Sequence, residues 1–349
     1  MSGFVKVGNV QIGGGAPVSV QSMCNTDTRD TEATVAQILR LEQAGCEIVR
    51  VAVFDETAAK AVKAIKERIH IPLVADVHFN YRLAIRAVEN GVDKLRINPG
   101  NIGAKERVRM VADCCKAHRV PIRIGINGGS IEKSFLPLYR ENPAEAMCRC
   151  AMGHAKILED CGFSDIVLSM KCTTVSETVH SYRMAQARMD YPLHIGITET
   201  GPIETGIIKS AAGLGALLLG GVGDTMRVSL TGDPAKEVET ALAILRACGL
   251  RKDDVEIVSC PTCGRTRCDV EQAAAYVNAH VLHNKGYLKI AVMGCAVNGP
   301  GEAREADLGV AFGDGNGVLF KKGEIVGHGD YEEVLKRLVD EANALLSGG

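Results

Sequence analysis

Between residues 18 and 232 short β-branched runs alternate with amphipathic stretches. Eight runs recur: VSVQSMCNT (18–26), EIVRVAV (47–53), PLVADVHF (72–79), KLRINPG (94–100), PIRIGING (121–128), DIVLSMKC (165–172), PLHIGITETG (192–201) and TMRVSLTG (225–232). Each passes into a polar or glycine-containing loop and then a helical pattern, as at 31–45, 55–68, 82–90 and 144–161. Such alternation pairs strands in parallel through crossover helices, and eight units predict a closed (β/α)8 TIM barrel. A doubly wound open sheet is the alternative, although it usually shows fewer units. Asp233-Pro234 opens a last barrel helix over 235–249, and the charged RKDD (251–254) reads as a linker.

Beyond the linker the texture changes. The strand VEIVSC (255–260) runs into CPTCGRTRC, then a helix over 269–283. LKIAVMG (288–294) leads into CAVNGPGE and ADLGVAFG (306–313), followed by a hairpin around 321–323 and a helix over 331–346. The α/β chain therefore divides into an N-terminal barrel, 1–250, and a small C-terminal α+β domain, 251–349.

Composition narrows the choices. Hydrophobic residues make up 46%, enough for a sizeable core, but aromatics only 4% with no Trp, so Val, Ile, Leu and Ala do the packing. A net charge of −2 excludes a globally basic nucleic-acid binder. The N-terminal MSGFVKVGNVQIGGG has no apolar core, which predicts no signal peptide. The longest apolar run, 211–222, is Gly-rich and too short to span a bilayer. The chain reads as cytoplasmic, with neither membrane nor nucleic acid as partner. Its 13 cysteines then sit in a reducing compartment, where metal binding or catalysis is the question. Cys46, Cys114, Cys115, Cys148, Cys150, Cys161 and Cys248 lie in helix-like stretches and read as small buried hydrophobes.

Catalytic residues of such barrels project from the C-terminal ends of strands. Those ends carry Arg50, Asp76, His78, Arg96, Asn98, Arg123, Asn127, Lys171, Glu199, Arg227 and Ser229. Ionisable groups in apolar runs are costly unless paired or facing a ligand. One such Arg is as readily a structural ion pair; four Arg and a Lys from five strands, outnumbering the nearby acids, suit a small polyanion. Arg forks match phosphate oxygens bidentately, which favours a diphosphate over a carboxylate. The Gly-rich segments NPGNIG (98–103), INGG (126–129) and GLGALLLGGVGDT (213–225) read as tight turns or as phosphate cradles after strands 4, 5 and 7. His78 either polarises a substrate oxygen or makes a structural hydrogen bond. Lys171 has a Schiff-base alternative.

Cys260-Pro261-Thr262-Cys263 and Cys295 follow two strands directly, a metal-ligand arrangement. A zinc ribbon needs a second C-x2-C pair, which is missing. Three thiolates can hold a [4Fe–4S] cluster whose fourth iron takes another ligand, with Cys268 and Glu302 as candidates. This makes 251–349 the iron–sulfur domain.

The chain resembles the bacterial 4-hydroxy-3-methylbut-2-enyl diphosphate synthases of the methylerythritol phosphate pathway, in their short two-domain form. The resemblance is carried by VQSMCNTDT (20–28), VADVHFNYR (74–82), LRINPGNIG (95–103), IRIGIN (122–127), GITETG (196–201), GDTMRVSLTGDP (223–234), CPTCGR (260–265) and GCAVNGPGE (294–302). It implies reductive ring opening and dehydration of 2-C-methyl-D-erythritol 2,4-cyclodiphosphate, with flavodoxin or ferredoxin as electron donor. It further implies Cys260, Cys263 and Cys295 as thiolate ligands and Glu302 as the fourth, displaceable one. Glu199 corresponds to the acid beside the reacting centre. Arg50, Arg96, Arg123, Lys171, Arg227 and Ser229 correspond to the diphosphate grip, and Asp76, His78 and Asn127 to the remaining contacts. Cys268 departs from the family pattern and reads as a bystander; Cys24 stands where Thr is usual. The family is a homodimer in which one subunit's barrel meets the other's cluster domain. Two rivals are a pterin-type synthase barrel, which leaves the cysteines unexplained, and a non-enzymatic iron–sulfur sensor, which leaves the charged strand ends unexplained.

Overall fold

The computed structural model describes residues 3–172, 174–295 and 304–348. They form two compact units divided between Leu250 and Arg251.

The first unit opens with a hairpin, β1 (Phe4–Val7) and β2 (Val10–Gly13), that the eight-run pattern does not foresee. Its signal is Gly8-Asn9, a two-residue turn with Gly8 at φ 57°. Val5, Val7 and Ile12 pack on Ile48, Val74 and Val167, the first inward-facing residues of three later strands. The hairpin thus plugs the N-terminal end of the barrel.

The units that follow are β3 (Ser19–Met23) with α1 (Thr31–Gln43), β4 (Ile48–Ala52) with α2 (Glu56–Lys66), and β5 (Leu73–Asp76) with α3 (Tyr81–Glu89). Next come β6 (Lys94–Ile97) with α4 (Pro99–Ile102) and α5 (Lys105–His118), then β7 (Ile122–Asn127) with α6 (Leu136–Glu141) and α7 (Pro143–Glu159). The last three are β8 (Ile166–Lys171) with α8 (Val175–Arg188), β9 (His194–Gly196) with α9 (Ile203–Leu218), and β10 (Thr225–Arg227) with α10 (Pro234–Ala247). Side-chain caps start many of these helices: Asp30, Asp55, Asn80, Asn142 and Asp233 each accept a first-turn N–H, and Thr174 with Glu177 forms a capping box.

The eight strands β3–β10 form one sheet in the order β8-β7-β6-β5-β4-β3-β10-β9. A parallel bridge between Leu168 and Leu193, with Leu168 N–H donating to Pro192 O at 2.9 Å, joins its two edges and closes the barrel. Strand alternation then sorts the side chains. Val49, Val51, Ile122, Ile124, Ile126 and Leu168 point outward and are buried under the helices, each worth about 1.5–3 kcal/mol relative to exposure. The inward positions are less apolar and carry the charged groups described below.

The second unit is a five-stranded sheet of β11 (Val255–Ser259), β12 (Leu288–Met293), β13 (Leu308–Phe312), β14 (Gly317–Lys321) and β15 (Glu324–Gly329), in that order. The first three strands are parallel and the last two antiparallel. The β14–β15 turn uses Lys322 (φ 49°) and Gly323 (φ 82°). Helices α11 (Val270–His280) and α12 (Tyr331–Ser347) share one core with the sheet, through Ala273, Val277, Leu335, Leu338 and Val310. Among the described residues no helix is long and apolar enough to cross a membrane.

Candidate active site

The inward residues at the C-terminal strand ends enclose a cavity of about 210 Å³. Arg50, Asp76, His78, Arg96, Arg123, Asn127, Lys171, Arg227 and Ser229 all line it, drawn from six of the eight strands or the loops that follow them. Ser169 and Thr198 join them, as does Gly125. Two-residue periodicity alone would have found Ser169, one step below Lys171 on the same face of β8.

Asp76 organises one side. Its carboxylate accepts from Arg96 Nη1 at 2.8 Å and lies 3.6 Å from both Arg50 Nε and His78 Nε2. Burial raises its pKa, but Arg50, Arg96, His78 and Arg123 outweigh burial and hold it at about 2. Arg96 also donates to Gly125 O at 3.3 Å, and a Cβ at Gly125 would meet Arg96 Nε at 2.5 Å. Glycine there lets the guanidinium lie across β7. A Cβ at Gly196 would likewise meet Lys171 Nζ at 2.9 Å.

Glu237 organises the other side. It comes from α10, behind the barrel wall, and the sequence gives it no role. It is 3% exposed and accepts from Arg227 Nε and Nη2, both at 3.0 Å, a bidentate grip. Ser22 Oγ and Leu230 N–H donate to the same carboxylate at 3.1 Å. The Met23 thioether lies between Arg50 and Arg227 and accepts from both.

Five cations therefore face two carboxylates. Burial, followed by Arg227, Arg50 and Arg123, pushes Lys171 well below its ordinary value. Arg50 is brought down to about 10, by burial first. In both, the like charges of neighbouring cations add to burial, and a dianion in the cavity would offset them.

Three sequence-derived positions fall elsewhere. Asn98 caps α4, accepting from Gly100 N–H at 3.1 Å, and does not line the cavity. Glu199 is exposed and also stands outside the lining, with φ 56°. Its Oε1 lies 3.9 Å from where a Cβ on Gly129 would be, so it is at the same end of the barrel. The segment GLGALLLGGVGDT is the clear correction. Residues 213–218 are the end of α9, and 219–224 lead into the start of β10, at the N-terminal end of the barrel opposite the cavity. Its glycines serve packing: a Cβ at Gly213 would meet Ile197 Cδ1 at 2.6 Å, and at Gly223 Ile195 Cδ1 at 2.6 Å. The Gly-rich composition reads as a loop, whereas close helix–sheet contact is what requires it.

In the second unit, parallel pairing of β11 with β12 brings Ser259 opposite Val292, so Cys260 and Cys295 leave the sheet at the same end. Gly294 N–H donates to Cys260 Sγ at 3.2 Å, and a Cβ at Gly294 would sit 3.4 Å from that sulfur. Cys263 is exposed in the following turn, where its N–H is held by Thr266 Oγ1 at 2.9 Å. Among the described residues no three His, Cys, Asp or Glu groups are close enough to ligate a single ion. A cubane cluster asks for something wider, one thiolate on each of three irons, and Cys260 and Cys295 at neighbouring strand ends with Cys263 in the turn are the thiols that would supply them. Cys268 packs with Cys260 against the core, and its thiol is pushed up to about 11 by burial, then by Cys260 and Asp269. Glu302 lies outside the described residues.

Comparison with known proteins agrees with both units. A family profile described as the GcpE TIM-barrel domain matches residues 2–242, and the GcpE protein C-terminal domain matches 256–344. The chain is 54% identical to the 4-hydroxy-3-methylbut-2-en-1-yl diphosphate synthase (flavodoxin) of Caldanaerobacter subterraneus subsp. tengcongensis, over 98% of this chain and 96% of that one. It is 52% identical to the enzyme of the same name from Clostridium perfringens, over 96% of each. Among solved structures, the Yersinia pestis dihydropteroate synthase aligns with a TM-score of 0.52 at 12% identity, over 70% of this chain and 97% of that one. That likeness is one of barrel fold alone. With both domain profiles matched in order and more than half of the aligned residues shared with these synthases, the chain belongs to the GcpE family of 4-hydroxy-3-methylbut-2-en-1-yl diphosphate synthases.

Proposed function

We propose that the chain converts 2-C-methyl-D-erythritol 2,4-cyclodiphosphate to 4-hydroxy-3-methylbut-2-enyl diphosphate. The carrying observation is the cavity in which five cations from five strands face two carboxylates. For the neutral acids the conversion takes up two electrons and two protons. It breaks the C2–O bond to phosphate and releases the C3 hydroxyl as water. The diphosphate stays on C4.

Arg50, Arg96, Arg123, Lys171 and Arg227 grip the diphosphate and neutralise the charge that ring opening adds. Asp76 and Glu237 hold Arg96 and Arg227 in place before the ligand arrives, so less ordering is left to binding. Ser229 adds its hydroxyl to that grip, and Asn127 and His78 offer hydrogen bonds to the remaining oxygens of the substrate. Glu199, at the same end of the barrel, donates the proton for water loss. Cys260, Cys263 and Cys295 hold a [4Fe–4S] cluster with Glu302 as its fourth ligand. When bound, the cluster supplies the two electrons of the reduction. Flavodoxin, which is part of the relatives' names, or ferredoxin delivers them, and the working unit is a homodimer.

A pterin-type synthase would use the barrel and leave the cysteine unit without a task. Protein purified without oxygen is expected to contain about four iron and four acid-labile sulfide per chain and to bind the cyclodiphosphate in a calorimeter. Zinc in place of iron, or no binding, would contradict the proposal.

A further inference from the structure

Below the cavity the barrel interior stays polar where barrels of this kind are packed with Val, Ile and Leu. Ser19, Gln21, Lys94, Arg123, His194 and Thr225 are each at most 3% exposed. Strand register stacks them: Thr225 pairs with Ser19 and with His194, and Lys94 with Val74, one inward step below Asp76 and Arg96. Lys94 Nζ, both His194 ring nitrogens, Arg123 Nε and Nη1, and both Gln21 amide atoms have no hydrogen-bond partner among the described residues.

Lys94 is the unexplained member, a fully buried ammonium precursor that makes no hydrogen bond among the described residues. The charged groups around it come from each strand in turn. β4 contributes Arg50, β5 Asp76, β6 Arg96, β7 Arg123, β8 Lys171, β9 the titratable His194 and β10 Arg227; β3 contributes none. The two carboxylates in reach of the cavity are taken, Asp76 by Arg96 and Arg50, Glu237 by Arg227. Burial, then the charges of Arg123 and Arg50, pushes Lys94 well below its ordinary value, and His194 is depressed in the same way. A charged Lys94 therefore needs an anion that the described residues of the barrel do not provide.

Resting on the function proposed above, we infer that Lys94 takes up a proton when the diphosphate enters the cavity over it. The dianion offsets the repulsion from Arg50 and Arg123, and the hydroxyl, amide and imidazole groups around Lys94 can accept from the new ammonium. Binding then charges the layer beneath the site as well as its walls. The sign follows: affinity is constant below the free-state pKa of Lys94. It falls about tenfold per pH unit between the free and bound values, and levels off above them.

The test is calorimetry of oxidised holoenzyme with the cyclodiphosphate and no electron donor, at one pH in buffers of different ionisation enthalpy. The ligand carries one acidic oxygen per phosphorus, both ionised far below neutrality, so it takes up no proton itself. Lys171 lines the cavity and titrates too, so the variants decide. Lys94→Met is expected to bind with about one proton fewer than wild type, and Lys171→Met to keep an uptake of about one proton. Equal uptake in wild type and Lys94→Met overturns the inference. If Lys94→Met does not fold, loss of all uptake in Lys171→Met overturns it instead. Absence of binding heat in every buffer contradicts the substrate assignment, whereas heat without buffer dependence contradicts the role of Lys94 alone.

Discussion

Replacing Asp76 with Asn removes one negative charge from the cavity and leaves its shape nearly unchanged. In the folded barrel this carboxyl titrates at about 2, against an ordinary 3.8, because Arg50, Arg96, His78 and Arg123 together overcome its burial. A displacement of that size is worth about 2–3 kcal/mol of folded-state stability. Since the folded value is the lower one, the contribution is fully present above the unfolded value and is lost as pH falls through about 2. Asn retains an oxygen that can accept from Arg96 Nη1, so the loss is that of charge against the neighbouring guanidinium groups. For a unit of this size 1 kcal/mol moves the melting temperature by about 2–4 °C. Asp76→Asn should therefore melt about 5–10 °C below wild type at neutral pH. Thermal unfolding followed by far-ultraviolet circular dichroism measures this, with and without the cyclodiphosphate. Bound ligand replaces the missing negative charge, so the gap between the two proteins should narrow. Equal melting temperatures without ligand would refute the claim that Asp76 is the counter-ion of the cavity.

Four further outcomes are expected. Arg96→Ala and Arg227→Ala should each weaken cyclodiphosphate binding by about 2–4 kcal/mol, the cost of a lost charge-assisted contact to a desolvated phosphate; unchanged affinity by calorimetry would remove that residue from the grip. Cys260→Ser, Cys263→Ser and Cys295→Ser should each lose the brown chromophore and activity, whereas a colourless Cys268→Ser with its fold intact would contradict the ligand assignment. Glu199→Gln should lower kcat about 100-fold or more with little change in affinity, because its side chain stands outside the cavity lining; a loss confined to affinity would make it a binding residue. Glu302→Cys should give a four-thiolate cluster, seen as loss of the distinct iron site in Mössbauer spectra, with low turnover; wild-type turnover would show that no iron ligand has to be displaced at this residue.

The barrel was legible because its strands are short β-branched runs that end in charge. Arg50, Arg96, Arg123 and Arg227 stand out in such runs, since an ionisable group there needs a partner or a ligand. Period-two alternation then puts them on one face, and closure of the sheet brings them together. Glu237 was not legible for the opposite reason. It belongs to a helix, where a glutamate ordinarily marks the solvated face, and only tertiary packing turns it toward Arg227. Lys94 sits at the start of KLRINPG, and attention to strand ends passes over it. The glycines of 213–225 misled because composition cannot separate a loop from a tightly packed helix, and the contacts of Gly213 and Gly223 with Ile197 and Ile195 decide it. In the second unit CPTC and GCAVNGPGE marked the thiols, while their meeting at one end of the sheet depends on the parallel pairing of β11 with β12.

The central claim is that a cationic cavity binds a cyclic diphosphate for two-electron reduction. Phosphorus NMR of oxygen-free turnover, with reduced flavodoxin titrated as the electron source, tests it most directly. The expected result is replacement of the cyclodiphosphate resonances by those of a linear diphosphate, with two electrons consumed per product. Persistence of the cyclic resonances in protein with a full cluster and adequate reductant, or ring opening that consumes no electrons, would contradict the claim.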